Sequence, residues 1–220
     1  MPDAVRIAWS STHQEFLITD SYYFSILAKE SQKQGLIIEE ISEFPDLFSY
    51  DVIVFNYPEQ PFTEEEINQI KRAVTEEHKR VIFAAHFQNK DNVAYICSQV
   101  AQYFGMRAYP GEVMDWENCL MDDPYMVVTS NVLAYNEGVQ KVVFPYTAPI
   151  EVCGPAQIIL RGMPTTCTKE GQAFPVLMAE KVLAGGGSFI LSGSCVFWDN
   201  FSIVQLDNLK FILNLLKGPF

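Results

Sequence analysis

Apolar residues in the first hundred positions form short unbroken runs, separated by stretches with helical spacing. VRIAWSS (5–11), LIIEEI (36–41), YDVIVFN (50–56) and RVIFAAH (80–86) have strand length, and the last two are apolar enough to be buried on both faces. Between the first two, Phe24, Leu27 and Ala28 share one helical face, and Gly35 is the expected stop. FTEEEINQIKRAV places Thr63 three residues before Glu66, a capping box with an acidic first turn, ahead of a stripe of Ile67, Ile70 and Val74. A third helix is predicted to bury Val93, Cys97, Val100 and Phe104 and to end at Gly105, with Asp91 as its N-cap or first-turn acid. Strand, helix, strand at this spacing implies right-handed crossovers and a parallel sheet with helices on both faces. The expectation is a doubly wound α/β fold.

After residue 106 the pattern loosens. MRAYPGEVMD reads as an outer strand, 114–141 as loop, and 142–145, 149–153 and 157–161 as short β runs. The stretch 162–173 has turn composition and is expected as an exposed loop. FPVLMAEKV and GSFILSG read as two strands joined by LAGGG. Gly185-Gly186-Gly187 therefore belongs to a hairpin, because a phosphate loop runs from strand to helix. Leu206, Leu209, Leu213 and Leu216 mark the face of a last helix, with Gly218 as its stop. The expectation is one domain over 1–220, with extra β-hairpins in the C-terminal half and an irregular β-rich insertion at 114–175.

Charge narrows the partners. Against 15 basic residues stand 27 acidic ones, a net charge of −12, which argues against nucleic acid because phosphate neutralisation needs clustered Lys and Arg. The acidic run EVMDWENCLMDDP lacks the spaced order of a calcium loop and reads as solvated surface. No apolar run approaches the ~20 residues of a membrane span. The N-terminus enters a strand without signal-peptide character, so no membrane association and a cytoplasmic location are expected. The five cysteines are scattered, with no CxxC; free thiols are expected, with neither metal nor cofactor. Cys97, on the buried face of a helix, reads as core.

The residues YDVIVFNYPEQPFTEEEINQIKRAV, the strand after them, NVAYICSQVAQYFGM, the GGG-strand-SGS run and DNLKFILNLL together resemble the class I glutamine amidotransferase-like superfamily. The resemblance is to its non-catalytic branch, which includes domains of intraflagellar-transport and gliding-motility proteins. It covers most of the chain in order, and 114–175 only loosely. It implies a flavodoxin-like sheet. In catalytic members the strand matching 80–85 ends in a G-x-C-x-G elbow. Here the residues are Ala84-Ala85-His86-Phe87-Gln88, without the cysteine or the glycines that permit the strained turn. No histidine follows His86 to serve as the base. Amidotransferase chemistry is not expected.

Ligands of open α/β sheets sit beyond the carboxyl ends of the strands, where strand order reverses. Four loops are predicted to meet there, and the candidate ligand-binding residues are His13 and Glu15 in the first and Asn56 in the second. His86 and Gln88 follow in the third, then Ser192, Ser194, Trp198, Asp199 and Asn200 in the fourth. His13 with Glu15, or His86 with Asp199, is a candidate general-base pair. The same four side chains are a conceivable metal set, although their spacing matches no ligand motif. Cys195 lies outside any elbow motif and reads as a bystander, and no G-x-S-x-G frames Ser192 or Ser194. Trp198 is the aromatic expected to touch a ligand, whereas Tyr22, Tyr23 and Phe24 are expected in packing. The function expected from the sequence is non-enzymatic: binding of a small polar ligand such as a carbohydrate, or an assembly module. The alternative is a hydrolase using His13 or His86 with a nearby carboxylate, with or without a metal. A homodimer through a sheet edge or an aromatic patch is compatible with either.

Overall fold

The computed structural model describes residues 4–218. Strand β1 (Val5–Ser10) leads through helix α1 (Ser21–Lys33) to β2 (Leu36–Ile41), and β3 (Val52–Asn56) leads through α2 (Glu64–Thr75) to β4 (Arg80–Ala84). Helix α3 (Val93–Ala101) precedes β5 (Met106–Ala108), β6 (Val113–Met114), β7 (Cys119–Leu120), β8 (Asp123–Thr129) and β9 (Val142–Pro145). Strands β10 (Ile150–Val152), β11 (Gln157–Arg161), β12 (Cys167–Thr168), β13 (Val176–Val182) and β14 (Ser188–Ser192) come before the last helix, α4 (Asn208–Lys217).

The main sheet runs β2-β1-β3-β4-β14-β13-β10-β5, with β11 also paired to β13. The pairs from β2 to β14 are parallel and those beyond are antiparallel. Because β1 connects outward to β2 while β3 connects the other way to β4, right-handed crossovers put α1 and α2 on opposite faces. Every residue of β3, β4 and β14 is buried, as two covered faces require. This is the doubly wound α/β architecture expected, with added antiparallel hairpins. Among the described residues no helix is long and apolar enough to cross a membrane.

Local signals explain most boundaries. Both halves of the capping box form, Glu66 N–H donating to Thr63 Oγ1 at 3.3 Å and Thr63 N–H to Glu66 Oε2 at 2.8 Å. In α1 the buried face is Phe24, Leu27 and Ser31, and Ala28 is exposed. In α4 it is Asn208, Phe211, Ile212, Leu215 and Leu216; Leu209 and Leu213 are half-buried and Leu206 precedes the helix, exposed. The leucine spacing misplaced that face because Asn208 sets the helix rotation. Its side-chain amide accepts from Val143 N–H and donates to the Val143 and Phe197 carbonyls. The glycine run does join β13 to β14. Gly185 and Gly186 adopt φ of +107° and +100°, and a Cβ on Gly187 would strike the Val74 carbonyl of α2.

The C-terminal half departs most from the sequence reading. Residues 114–141, expected as loop, hold β8, the centre of a separate β7-β8-β9 sheet. Residues 162–173, expected as an exposed loop, hold β12, paired to β6, with Thr166 and Thr168 buried. Two acids of the run EVMDWENCLMDDP, expected as solvated surface, are also buried: Glu112 and Asp115. Burial alone would raise the Asp115 pKa. Hydrogen bonds from Asn118 N–H, the Thr166 and Thr165 hydroxyls and Glu117 N–H outweigh it and hold the carboxyl below its usual range. Glu112 accepts from Tyr125, Gln88 and Lys169. The acids are satisfied by partners far along the chain, which local composition does not reveal.

Candidate functional site

Strand order reverses between β1 and β3, so the loops after these strands frame the place where a ligand crevice belongs. They are stitched together instead. Phe16 N–H donates to the Asn56 carbonyl at 3.1 Å, and Glu59 and Gln60 N–H both donate to the His13 carbonyl at 2.9 and 3.1 Å. The space beneath is filled by aromatic rings: Trp9 packs on Trp198 at 5.0 Å and on Phe24 at 5.3 Å, and Trp198 stacks on Phe197 at 4.4 Å. Trp9 Nε1–H donates to the Phe16 carbonyl at 2.7 Å, so the first loop closes over its own strand.

Of the sequence-selected side chains, Asn56 meets Trp198 and Ser192 meets Ser194; most of the others bond elsewhere in the protein, and Asn56 Nδ2 and Glu15 Oε1 are buried without a partner. Trp198 is fully buried, its Nε1–H shared between Asn56 Oδ1 and the Cys195 carbonyl, so it presents no face to a ligand. That corrects its expected role. Ser192 Oγ–H donates to the Ser194 carbonyl, and Ser194 Oγ–H to the Pro145 carbonyl. Asp199 accepts from Phe201 and Ser202 N–H and shapes a turn. Asn200 accepts from Ile26 N–H and donates to the Ser21 and Tyr22 carbonyls, tying the last loop to the start of α1. Gln88 serves Glu112. Asp91, expected as the N-cap or first-turn acid of α3, is neither: it precedes the cap residue Asn92 and accepts from the Tyr57 hydroxyl at 2.6 Å.

Neither predicted acid–base pair forms. Glu15 Oε2 accepts from the backbone N–H of His13 at 2.6 Å, not from its ring. The ring stacks on Phe62 at 3.9 Å, with Nδ1 on Thr12 Oγ1 at 2.7 Å and Nε2 3.6 Å from Glu66. Desolvation lowers the His13 pKa against the opposing pull of Glu66, and burial raises that of Glu15. Glu66 is thus the acid that sequence reasoning missed. It is the N3 residue of a capping box, a position that turns its carboxylate back toward the preceding loop. His13, Glu15, His86 and Asp199 keep separate partners, and among the described residues no group of three or more metal-ligating side chains comes together.

His86 faces Cys195, with Nδ1 3.5 Å from Sγ. The imidazole follows β4 and the thiol follows β14, the strand paired to it. A nucleophilic pair needs a thiolate. Cys195 is fully buried, which pushes its thiol up, and burial followed by the nearby Lys90 holds the His86 imidazole down to about 4. Both groups are neutral near pH 7. The pair is a hydrogen bond within the packing, flanked by Tyr57, Phe87 and Tyr146 rings. Outside this packed end, Phe16, Tyr22, Tyr23 and Phe201 are exposed, Tyr22 by 77%. They are continuous: Phe16 stacks toward Tyr23 at 6.4 Å, Tyr22 meets Tyr23 edge-on at 4.9 Å, and Phe201 shares with both tyrosines a shallow groove of about 420 Å³. Tyr22 and Tyr23 were expected in packing; they lie on the outer side of α1.

These features define a doubly wound α/β protein whose switch-point crevice is closed from within. Over 222 residues the chain is 46% identical to an uncharacterized protein of Aquifex aeolicus (strain VF5), covering 97% of this chain and 94% of that one, and it belongs to the same family. No family model matches it. The mmIFT52 N-terminal domain shares its fold, with a TM-score of 0.81 at 16% identity over 97% of this chain and 98% of that one. This likeness agrees with the part of the sequence resemblance that pointed to intraflagellar-transport domains.

Proposed function

We propose that this chain is a non-catalytic assembly module, one amidotransferase-like unit that holds a partner protein on the aromatic surface of Phe16, Tyr22, Tyr23 and Phe201. One observation carries the reading: the sheet end where doubly wound folds take ligands is packed shut, while exposed rings cover its outside. A soluble protein seldom exposes contiguous aromatic rings without a partner. Asp20 and Asp199 border the rings, and the net charge is −12. The fitting partner is therefore an apolar surface rimmed by Lys and Arg, not a second copy of this acidic chain.

A photo-crosslinking benzoylphenylalanine at position 22 tests this in cells. It is expected to form an adduct with a different protein, and the same probe at exposed Glu77 is expected to form none. With that partner purified, Tyr22→Ser combined with Phe201→Ser is expected to weaken binding at least about tenfold, roughly the loss of one hot spot. Affinity is also expected to fall with added salt. Self-adducts alone, or no adduct at position 22, would overturn the reading.

A further inference from the structure

A second region, remote in sequence from the closed crevice, carries chemistry that the assembly reading does not use. Strand β13 pairs on one side with both β10 and β11, and the two part at Val176, which faces Ile150 of one and Arg161 of the other. The wedge where they diverge is a groove of about 470 Å³, lined by Tyr109, Ile158, Val176 and Arg161, with Glu151 and Glu170 also facing it. That volume lies within the range of small-molecule sites.

Arg161 is presented to this groove by a rigid platform. The ladder between β11 and β13 shifts register on both sides of Leu160, and such irregularities re-aim the side chains beside them. The Arg161 backbone is fixed at both ends, its N–H donating to the Asn131 carbonyl and its carbonyl accepting from Thr129 Oγ1 at 2.6 Å. Gly162, next in the chain, is held by the Pro175 carbonyl and the Asn131 side chain. Against this fixed backbone, the Arg161 Nε–H is buried without a hydrogen-bond partner. The ion pairs among the described residues involve other cations. A buried guanidinium N–H without an acceptor is costly, and the planar fork of guanidinium matches a carboxylate in two parallel bonds.

We propose that this groove is a binding site for a small monocarboxylate with an apolar, flat body. The carboxylate pairs with Arg161, and the body lies between the Tyr109 ring and the Ile158 and Val176 side chains. The exposed Glu151 and Glu170 select by charge: they repel a dianion such as inorganic phosphate and accommodate an ammonium on the ligand.

Titration of the intact protein with 3-phenylpropionate, phenylalanine and inorganic phosphate, followed by the ¹⁵N signal of the Arg161 Nε–H, tests the assignment. Both carboxylates are expected to move that signal saturably, and phosphate is not. Arg161→Lys keeps the charge but not the fork and is expected to weaken binding at least about tenfold, the value of one charge-assisted bond. Tyr109→Ala, on the exposed wall, is expected to weaken it several-fold with the fold intact by circular dichroism. No saturable shift with either carboxylate, tighter binding of phosphate, or unchanged affinity in Arg161→Lys would overturn the proposal.

Discussion

Trp198→Ala is expected to destabilise the protein by about 3–5 kcal/mol, the range for truncating a large aromatic in a packed core. The ring is fully buried between Trp9 and Phe197, so the substitution opens a cavity that neighbouring strands cannot collapse to fill. It also removes the indole N–H that serves Asn56 Oδ1 and the Cys195 carbonyl. Asn56 lies at the end of β3 with its own Nδ2 already unpartnered, so losing the indole leaves a buried amide with little to bond. Urea denaturation followed by circular dichroism gives the number directly. A ligand-facing tryptophan at the rim would instead cost under about 1 kcal/mol, as exposed substitutions do.

His86 sets the second large effect, through pH. Its folded pKa, about 4, lies below the ordinary 6.5 because burial, and then Lys90, disfavour the imidazolium. Below pH 6.5 the unfolded chain therefore takes up a proton that the folded chain refuses, and stability falls as pH falls. At about 1.4 kcal/mol per unit, the loss from this one residue reaches about 3 kcal/mol between pH 7 and pH 4. His86→Gln keeps a polar group beside Cys195 and removes the titration. The difference in unfolding free energy between wild type and variant is expected to shrink steadily across that window. Comparing the two proteins isolates His86 from Glu15 and Asp199, whose burial-raised pKa values act in the opposite direction. A constant difference from pH 7 to pH 4 would mean that the imidazole is solvated in the folded protein.

The first half of the chain was legible because its signals are local. The apolar runs at 50–56 and 80–86 have one stable solution, a strand with both faces covered, and the Thr63–Glu66 spacing fixes a helix start without tertiary information. The end of the sheet where the loops meet could be named for the same reason, since it follows from strand order. What those loops do there was not legible. Whether Trp198 faces a ligand or the core depends on Trp9, Phe24 and Phe197, which lie in other elements. Whether His13 meets Glu15 or Glu66 depends on how one loop folds over another. The middle of the chain was least readable, because Asp115 and Glu112 look like surface until Thr165, Thr166 and Lys169 arrive some fifty residues later. The aromatic surface was hidden in plain view. Tyr22 and Tyr23 adjoin a truly buried Phe24, and only the helix rotation separates them.

The crevice is closed around Cys195, and thiol reactivity reads this directly. Native protein at neutral pH is treated with iodoacetamide, and each cysteine is followed by peptide mass. Cys153, which is exposed, is expected to be alkylated first, and Cys195 to stay protected, like buried Cys97, until the protein unfolds. Alkylation of Cys195 in the folded protein as fast as Cys153 would contradict a closed crevice, because it would mean an open site and an available thiolate beside His86.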